Sequence, residues 1–150
     1  MTRGRGGDAT VSPAEAMTAE LQSFLSEGWP AVDRDLFGHA VDWTSRPVVV
    51  AARRGGALVG VAAGEAIAGM ARLHDLMVRT EDRGAGLGGR LVEAFCARAA
   101  ELGAARCFLR SPDTDRHRRF YERRGFEVVA RIPRYYHGLD FLEYLREPLP

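Results

Sequence analysis

From Pro47 to Ala52 the chain is an almost unbroken run of small and β-branched apolar residues. After Arg53-Arg54-Gly55-Gly56 the same pattern returns as Ala57-Leu58-Val59-Gly60-Val61-Ala62. Two such runs around a paired-glycine turn predict a β-hairpin, and Ala71 to Val78 predicts the next strand. The period then changes. Leu91, Phe95, Ala99 and Leu102 recur at helical spacing, with Gly103 suited to the C′ position. Ala105 to Leu109 predicts a short strand, and a helix follows from Asp115 to Arg124, ended by Gly125. Phe126 to Arg131 and Phe141 to Arg146 predict two closing strands. Upstream, Ser12 and Glu15 form a capping-box pattern with Pro13 at the first helical position. Met17, Leu21, Phe24 and Leu25 would then share one helix face until Gly28-Trp29-Pro30 ends it. A second, shorter helix is expected over Asp33 to Asp42. The order is helices, antiparallel strands, then strand–helix–strand–helix–strand–strand, a mixed α/β chain. We expect a tail without fixed structure over residues 1–10 and one domain over 11–150.

Composition narrows the function classes. A formal net charge of +1 lacks the basic excess of a general nucleic-acid binder, so no nucleic-acid partner is expected. No run approaches the roughly 18 apolar residues of a membrane span, and Met1 to Thr10 has no apolar signal-peptide segment. Cys96 and Cys107 offer neither a disulfide framework nor metal-ligand spacing. A cytoplasmic protein without a metal is the expectation, with both thiols read as small buried residues.

The chemistry concentrates where the third strand meets the first long helix. Leu76-Met77-Val78 is followed by Arg83-Gly84-Ala85-Gly86-Leu87-Gly88-Gly89-Arg90-Leu91. Glycines at a strand-to-helix turn let a ligand approach the backbone. The unpaired N–H groups of the first helical turn, at the positive end of the helix dipole, suit a phosphate. Gly84, Gly86 and Gly89 also spell G-x-G-x-x-G, which raises a dinucleotide fold. Against that reading, Arg79 to Arg83 separate the strand from the first glycine. The next strand also ends in Leu109-Arg110 rather than an acidic residue, and too little chain follows to complete a doubly wound sheet. No phosphate-loop G-x-x-x-x-G-K-[ST] is present.

Arg83-Gly84-x-Gly86-Leu87-Gly88 resembles the acetyl-CoA motif R-x-x-G-x-G/A of the GNAT superfamily of N-acetyltransferases. Phe120-Tyr121-Glu122-Arg123-Arg124-Gly125-Phe126 is similar to that family's second signature, an aromatic–tyrosine pair leading to Gly-Phe. The two stand in family order at family-like spacing, and the resemblance covers about Arg46 to Leu145. It implies the GNAT fold, a central mixed, mostly antiparallel sheet flanked by helices. The implied activity is direct transfer of an acetyl group from acetyl-CoA to a primary amine on a small molecule or a protein. The rival reading is a non-catalytic acyl-CoA-binding or regulatory module. Many relatives form dimers, so a homodimer is one state the resemblance allows. Two departures stand out. Thr114 occupies a position where the family often has Asn, and the family's usual first strand has no counterpart except Ala9-Thr10-Val11.

Site residues follow from the resemblance. Backbone N–H groups from Arg83, Gly84, Ala85, Gly86, Leu87 and Gly88 would hold the pyrophosphate. Leu76, Met77 and Val78 would pair with the pantetheine through their main chain, with the Val78 N–H at the developing oxyanion, and Thr114 would supply one hydrogen bond. Tyr121 is the candidate general acid, because a phenol (ordinary pKa near ~10) is still protonated when a thiolate leaves. Its neighbours Phe120 and Phe126 read as packing residues. His74 is the candidate base, an imidazole able to take the amine proton directly or through water. Strand alternation would place it on the face of Val78 with Asp75, the fallback, on the other. Arg116, Arg118, Arg119, Arg123 and Arg124 crowd one short helix. Such a run is ordinarily a solvated face, although one or two could reach the cofactor's 3′-phosphate. Tyr135-Tyr136-His137 is expected in the connection between the last two strands, bordering the acceptor.

Overall fold

The structure, a computed structural model, describes residues 9–150. It divides into two compact units, Met1–Val41 and Asp42–Pro150. Helix α1 (Ala19–Phe37) makes up most of the described part of the first unit. Thr18 caps it, its hydroxyl accepting the Leu21 N–H at 3.3 Å, and Gly38 ends it in the left-handed conformation with its N–H on Arg34 O. Three expectations are corrected here. Ser12 to Glu15 carry no helix, the first helix does not end at Gly28-Trp29-Pro30, and no separate helix covers 33–42. Proline removes one backbone donor, and a helix capped well at both ends absorbs that loss. Ala9 to Val11 form no strand, and the tail expected over 1–10 lies, up to residue 8, outside the described residues.

The second unit is a six-stranded sheet in the order β1-β2-β3-β4-β6-β5. Its strands are β1 (Arg46–Arg54), β2 (Ala57–Ile67), β3 (Met70–Val78), β4 (Arg106–Pro112), β5 (Glu127–Tyr136) and β6 (Leu139–Arg146). All neighbours run antiparallel except β3 and β4, which α2 (Leu87–Glu101) joins as a parallel crossover. The mixed, mostly antiparallel sheet is the expected architecture. Strand β5 is longer than predicted, so Tyr135 and Tyr136 lie on it and only His137-Gly138 form the turn.

Helix α2 crosses β1, β2 and β3. Its Leu91, Val92, Phe95 and Ala99 bury against Val48, Ala62, Ala71 and Leu73 of the sheet. Cys96 and Cys107 are both free and fully buried in this core. The neighbouring Cys96 and burial together push the Cys107 thiol up, away from ionisation.

Strand β3 is not regular. Ala63 pairs with Asp75 but Gly64 pairs with Leu73, so His74 is an extra residue, a β-bulge. Ala71 and Leu73 are buried, His74 and Asp75 are both exposed, and Leu76 and Val78 pack against the core. Core-facing positions thus switch from odd to even numbers across the bulge. This corrects the expectation that His74 and Val78 share a face. Opposite the bulge, a Cβ on Gly64 would overlap the carbonyl oxygen of Arg72. Gly64→Ala is therefore expected to lower unfolding stability by on the order of 3 kcal/mol, as forced overpacking does. Chemical denaturation checks this, and an unchanged midpoint would contradict it.

Candidate active site

Pairing between β3 and β4 covers only Met70–Leu73 against Arg106–Leu109. Beyond the bulge β3 leaves β4 while still following β2, and β4 continues against β6. The two parallel strands splay and leave one edge of β3 open. The Arg79 N–H donates to Val59 O on β2. By the alternation of an antiparallel ladder, Met77 then also points its main chain at β2, while Leu76 and Val78 point theirs into the splay. The Val78 carbonyl on that side accepts Arg83 Nε at 2.9 Å. Of the three residues expected to pair with an extended ligand, Leu76 and Val78 are oriented to do so. Met77 is committed to the sheet.

After β3 the chain makes a short 3-10 turn, Thr80–Asp82. The buried Asp82 carboxylate anchors it by accepting from Arg54 and from Arg79 Nε at 2.7 Å. Gly84 and Gly86 follow with φ of 85° and 76°. Gly86 is the N-cap of α2, in a left-handed conformation that glycine adopts without cost. No side chain caps the helix, and its first turn holds no acidic residue. The N–H groups of Leu87, Gly88 and Gly89 precede the first helical bond, Arg90 N–H to Gly86 O, and are free for an anion.

These parts line one open cleft of about 1120 Å³. Leu76, Met77 and Val78 form one side, Arg83, Gly84 and Gly86 to Arg90 the floor, and α3 (Asp115–Glu122) with Arg123 and Arg124 the other side. Six arginines reach it: Arg83, Arg90, Arg116, Arg119, Arg123 and Arg124. Among the described lining residues the one carboxylate is Glu93, which is neutralised by Arg146 at 2.9 Å. A chain of net charge +1 thus gathers strong positive charge where a phosphate would sit. Four of the five arginines around α3 line the open cleft, where Arg116, Arg119 and Arg123 also remain exposed to solvent. Arg118 turns away to Asp113 at 3.0 Å. The Arg124 guanidinium stacks on the Phe120 ring at 3.9 Å and donates to Phe120 O.

Tyr121 lies where the cleft meets the core. It is 8% exposed and makes edge contacts with Phe120 and Phe126, ring centroids 4.9 and 5.8 Å away. Burial first, then the neighbouring Tyr144 phenol, pushes its pKa up to about 12, opposed by Arg124 and by the hydroxyl of Ser111. The phenol therefore stays protonated across the physiological range. Thr114 does not line the cleft. It caps α3, accepting the His117 N–H at 3.2 Å, with its Oγ1 2.6 Å from His117 Nδ1. His117 does line the cleft. Burial and the Arg116 charge lower its pKa, which favours the neutral imidazole.

His74 lines a second recess of about 390 Å³, with Arg72, Arg110, Tyr135, Phe141 and Glu143 among its other walls. The two recesses use successive stretches of β3, Arg72 to His74 in one and Leu76 to Val78 in the other, and share no lining residue. His74 Nε2 is 3.4 Å from Glu65 Oε1, and Glu65 also accepts the Ser45 hydroxyl. Both partners hold Glu65 below the usual carboxylate range. Asp75 is exposed and lines neither recess. Sequence reasoning misses Glu65 and Ser111, which only tertiary pairing brings to a site, and His117, whose i, i+4 spacing from Tyr121 on α3 is a readable signal. Gly64 does carry a signal. Glycine inside an apolar strand marks a bulge or a close approach.

The profile of the Acetyltransferase (GNAT) family matches residues 14–126. The chain belongs to the GNAT acetyltransferase family. Its activity class is that of the family, acetyl-CoA-dependent N-acetyl transfer. Among solved structures it resembles an acetyltransferase from Bacillus cereus at 16% identity, TM-score 0.71, covering 91% of this chain and 97% of that one. It also resembles the ribosomal-protein-S18-alanine N-acetyltransferase of Escherichia coli, at 19% identity and TM-score 0.66 over 70% and 71% of the two chains. An aminoglycoside 6′-acetyltransferase type Ii matches at 26% identity and TM-score 0.60, over 69% and 70%. No curated protein matches it in sequence. No group of side chains among the described residues could hold a metal ion, and none of the described helices is long and apolar enough to cross a membrane.

A Cβ at Gly86 would meet no protein atom, so the space above it is free for a ligand. Gly86→Val is expected to weaken acetyl-CoA binding at least about tenfold, since a branched side chain there is both strained and in the anion's way. Calorimetry on the folded variant reads this directly, and unchanged affinity would contradict the cradle.

Proposed function

We propose that this GNAT enzyme acetylates a primary amine by direct transfer, with the cofactor in the arginine-lined cleft and the acceptor entering from the recess at His74. The observation that carries this reading is the splay of β3 from β4. It opens main-chain groups of Leu76 and Val78 between a phosphate-binding helix start and the Tyr121 phenol. Acetyl-CoA supplies an activated acyl thioester when bound. Leu87 to Gly89 and the cleft arginines hold its phosphates, and Leu76 and Val78 orient its extended arm. The Val78 N–H, turned into the splay, would be available to the charge that develops on the thioester carbonyl oxygen, a contribution worth roughly 2.7–4 kcal/mol in known oxyanion holes. His74, oriented by Glu65, removes a proton from the acceptor nitrogen, directly or through water. As the C–N bond forms and the C–S bond breaks, the sulfur takes the Tyr121 proton. Solvent reprotonates the phenol after release. Cytoplasmic residence belongs to the same reading, where both thiols stay reduced.

Tyr121→Phe keeps the ring and removes only the donor. Its kcat is expected to fall about 10²–10⁴-fold with cofactor affinity nearly unchanged. Because the phenol's pKa is about 12, loss of the acid form lies above the working range, and the kcat profile from pH 6 to 10 should show no alkaline fall due to Tyr121. A variant of full activity would give the acid role to water. Thiol release from acetyl-CoA across a panel of amines separates this enzyme from a non-catalytic acyl-CoA-binding module. Release with any amine supports the enzyme, and release with none supports the module. For the base, His74→Ala should lower kcat about 10²–10⁴-fold, as loss of a general base does, while Asp75→Asn leaves it nearly unchanged. A His74→Ala variant of nearly full kcat would remove His74 from the mechanism.

A further inference from the structure

The recess at His74 lies on the sheet face away from α2. Arg72, Arg110 and Glu143 point into it, while their strand neighbours Leu73, Leu109 and Leu142 are buried in the core on the opposite face. Its charges are nearly all paired. Arg110 donates to Glu143 at 3.4 Å and to the Tyr135 hydroxyl at 3.0 Å, and its guanidinium stands over the Tyr135 ring at 5.4 Å. The Glu65 carboxylate beside the recess is taken by Ser45 and His74. Arg72 differs. It lines the recess and feels the Glu65 charge across the β2–β3 pair, but has no hydrogen-bonded or ion-paired side chain among the described residues. Among the described residues that line it, the recess therefore holds one uncommitted cation and no uncommitted anion. A polycationic acceptor finds no free carboxylate in that lining, whereas an acceptor with an acidic group finds Arg72.

The remaining wall is aromatic. Tyr135, Tyr136 and Phe141 cluster with centroids 4.3, 5.3 and 5.5 Å apart. Such a surface receives a flat or apolar body. The volume of about 390 Å³ falls at the lower end of small-molecule sites, roughly 300–1,000 Å³.

We infer that the acceptor is a small primary amine that also carries a carboxylate and an apolar, flat side group, the chemistry of an aromatic α-amino acid. Arg72 binds the carboxylate, the Tyr135–Phe141 wall receives the side group, and the amine is left toward His74. This rests on the proposed acetyl transfer for its use, but not for its detection.

The test is calorimetry on the full chain at saturating coenzyme A. The probes are L-phenylalanine, L-phenylalaninamide, 2-phenylethylamine and spermidine. L-Phenylalanine should bind at least about tenfold more tightly than the two analogues without the carboxylate, because neither can accept a charge-assisted hydrogen bond from Arg72. Spermidine should bind most weakly. Arg72→Gln should erase the preference for the carboxylate and leave both 2-phenylethylamine and coenzyme A binding unchanged. Equal binding of acid and amide, no binding of any aromatic probe, tighter binding of spermidine, or a preference that survives Arg72→Gln would each overturn the inference. The transfer reaction is read separately from thiol release. Release with spermidine and not with L-phenylalanine sinks the acceptor assignment and spares the enzyme. Carboxylate-selective binding without release does the reverse.

Discussion

Where β2 passes Arg72, the two backbones approach so closely that position 64 has no room for a Cβ. That approach sets the extra residue at His74, and the bulge has three consequences. It ends the β3–β4 ladder after Leu73, turns Leu76 and Val78 onto the core-facing side, and brings His74 out beside Glu65. The open edge of β3 begins where the bulge falls, after Leu73, between the stretch that lines the aromatic recess and the stretch that lines the arginine-rich cleft. The catalytic proposal depends on this irregularity more than on any one side chain.

The distribution of charge follows the same division. The sequence total of +1 conceals six arginines facing one cleft, with its lone described carboxylate already paired to Arg146. On the other side, Arg110, Glu143, His74 and Glu65 satisfy one another. One face therefore attracts a highly anionic ligand, and the other is close to neutral apart from Arg72. The buried phenol between core and cleft needs no charge of its own. Burial keeps it protonated, which is the state a proton donor requires.

Much of the second unit was legible because its signals are local. The Gly55-Gly56 hairpin, the helical spacing of Leu91, Phe95 and Ala99, and the glycine run before α2 each depend on neighbours in sequence. The first unit was not. Ser12 to Glu15 and Gly28 to Pro30 carry strong start and stop signals, yet the helix starts at the Thr18 cap and runs through Pro30 to Phe37. Propensity is a weak prior against a favourable cap at each end. The face of His74 was misread because alternation assumes a strand without insertions, and the bulge is a pairing between residues about ten apart. Tyr121 and the glycines were recognisable from the two family signatures. The Glu65 partner of His74 and the Ser111 hydroxyl near Tyr121 come from other strands, and no spacing announces them.

Main-chain groups of β3 and the first turn of α2 form the proposed binding surface for the cofactor, so site-resolved amide hydrogen exchange with and without saturating coenzyme A is the most direct test. Protection should rise at Leu76 and Val78, on the open edge, and at Leu87, Gly88 and Gly89, at the helix start. Met77, already turned toward β2, should change little. Saturated binding with no added protection at Leu76, Val78 or the first turn of α2 would contradict the account.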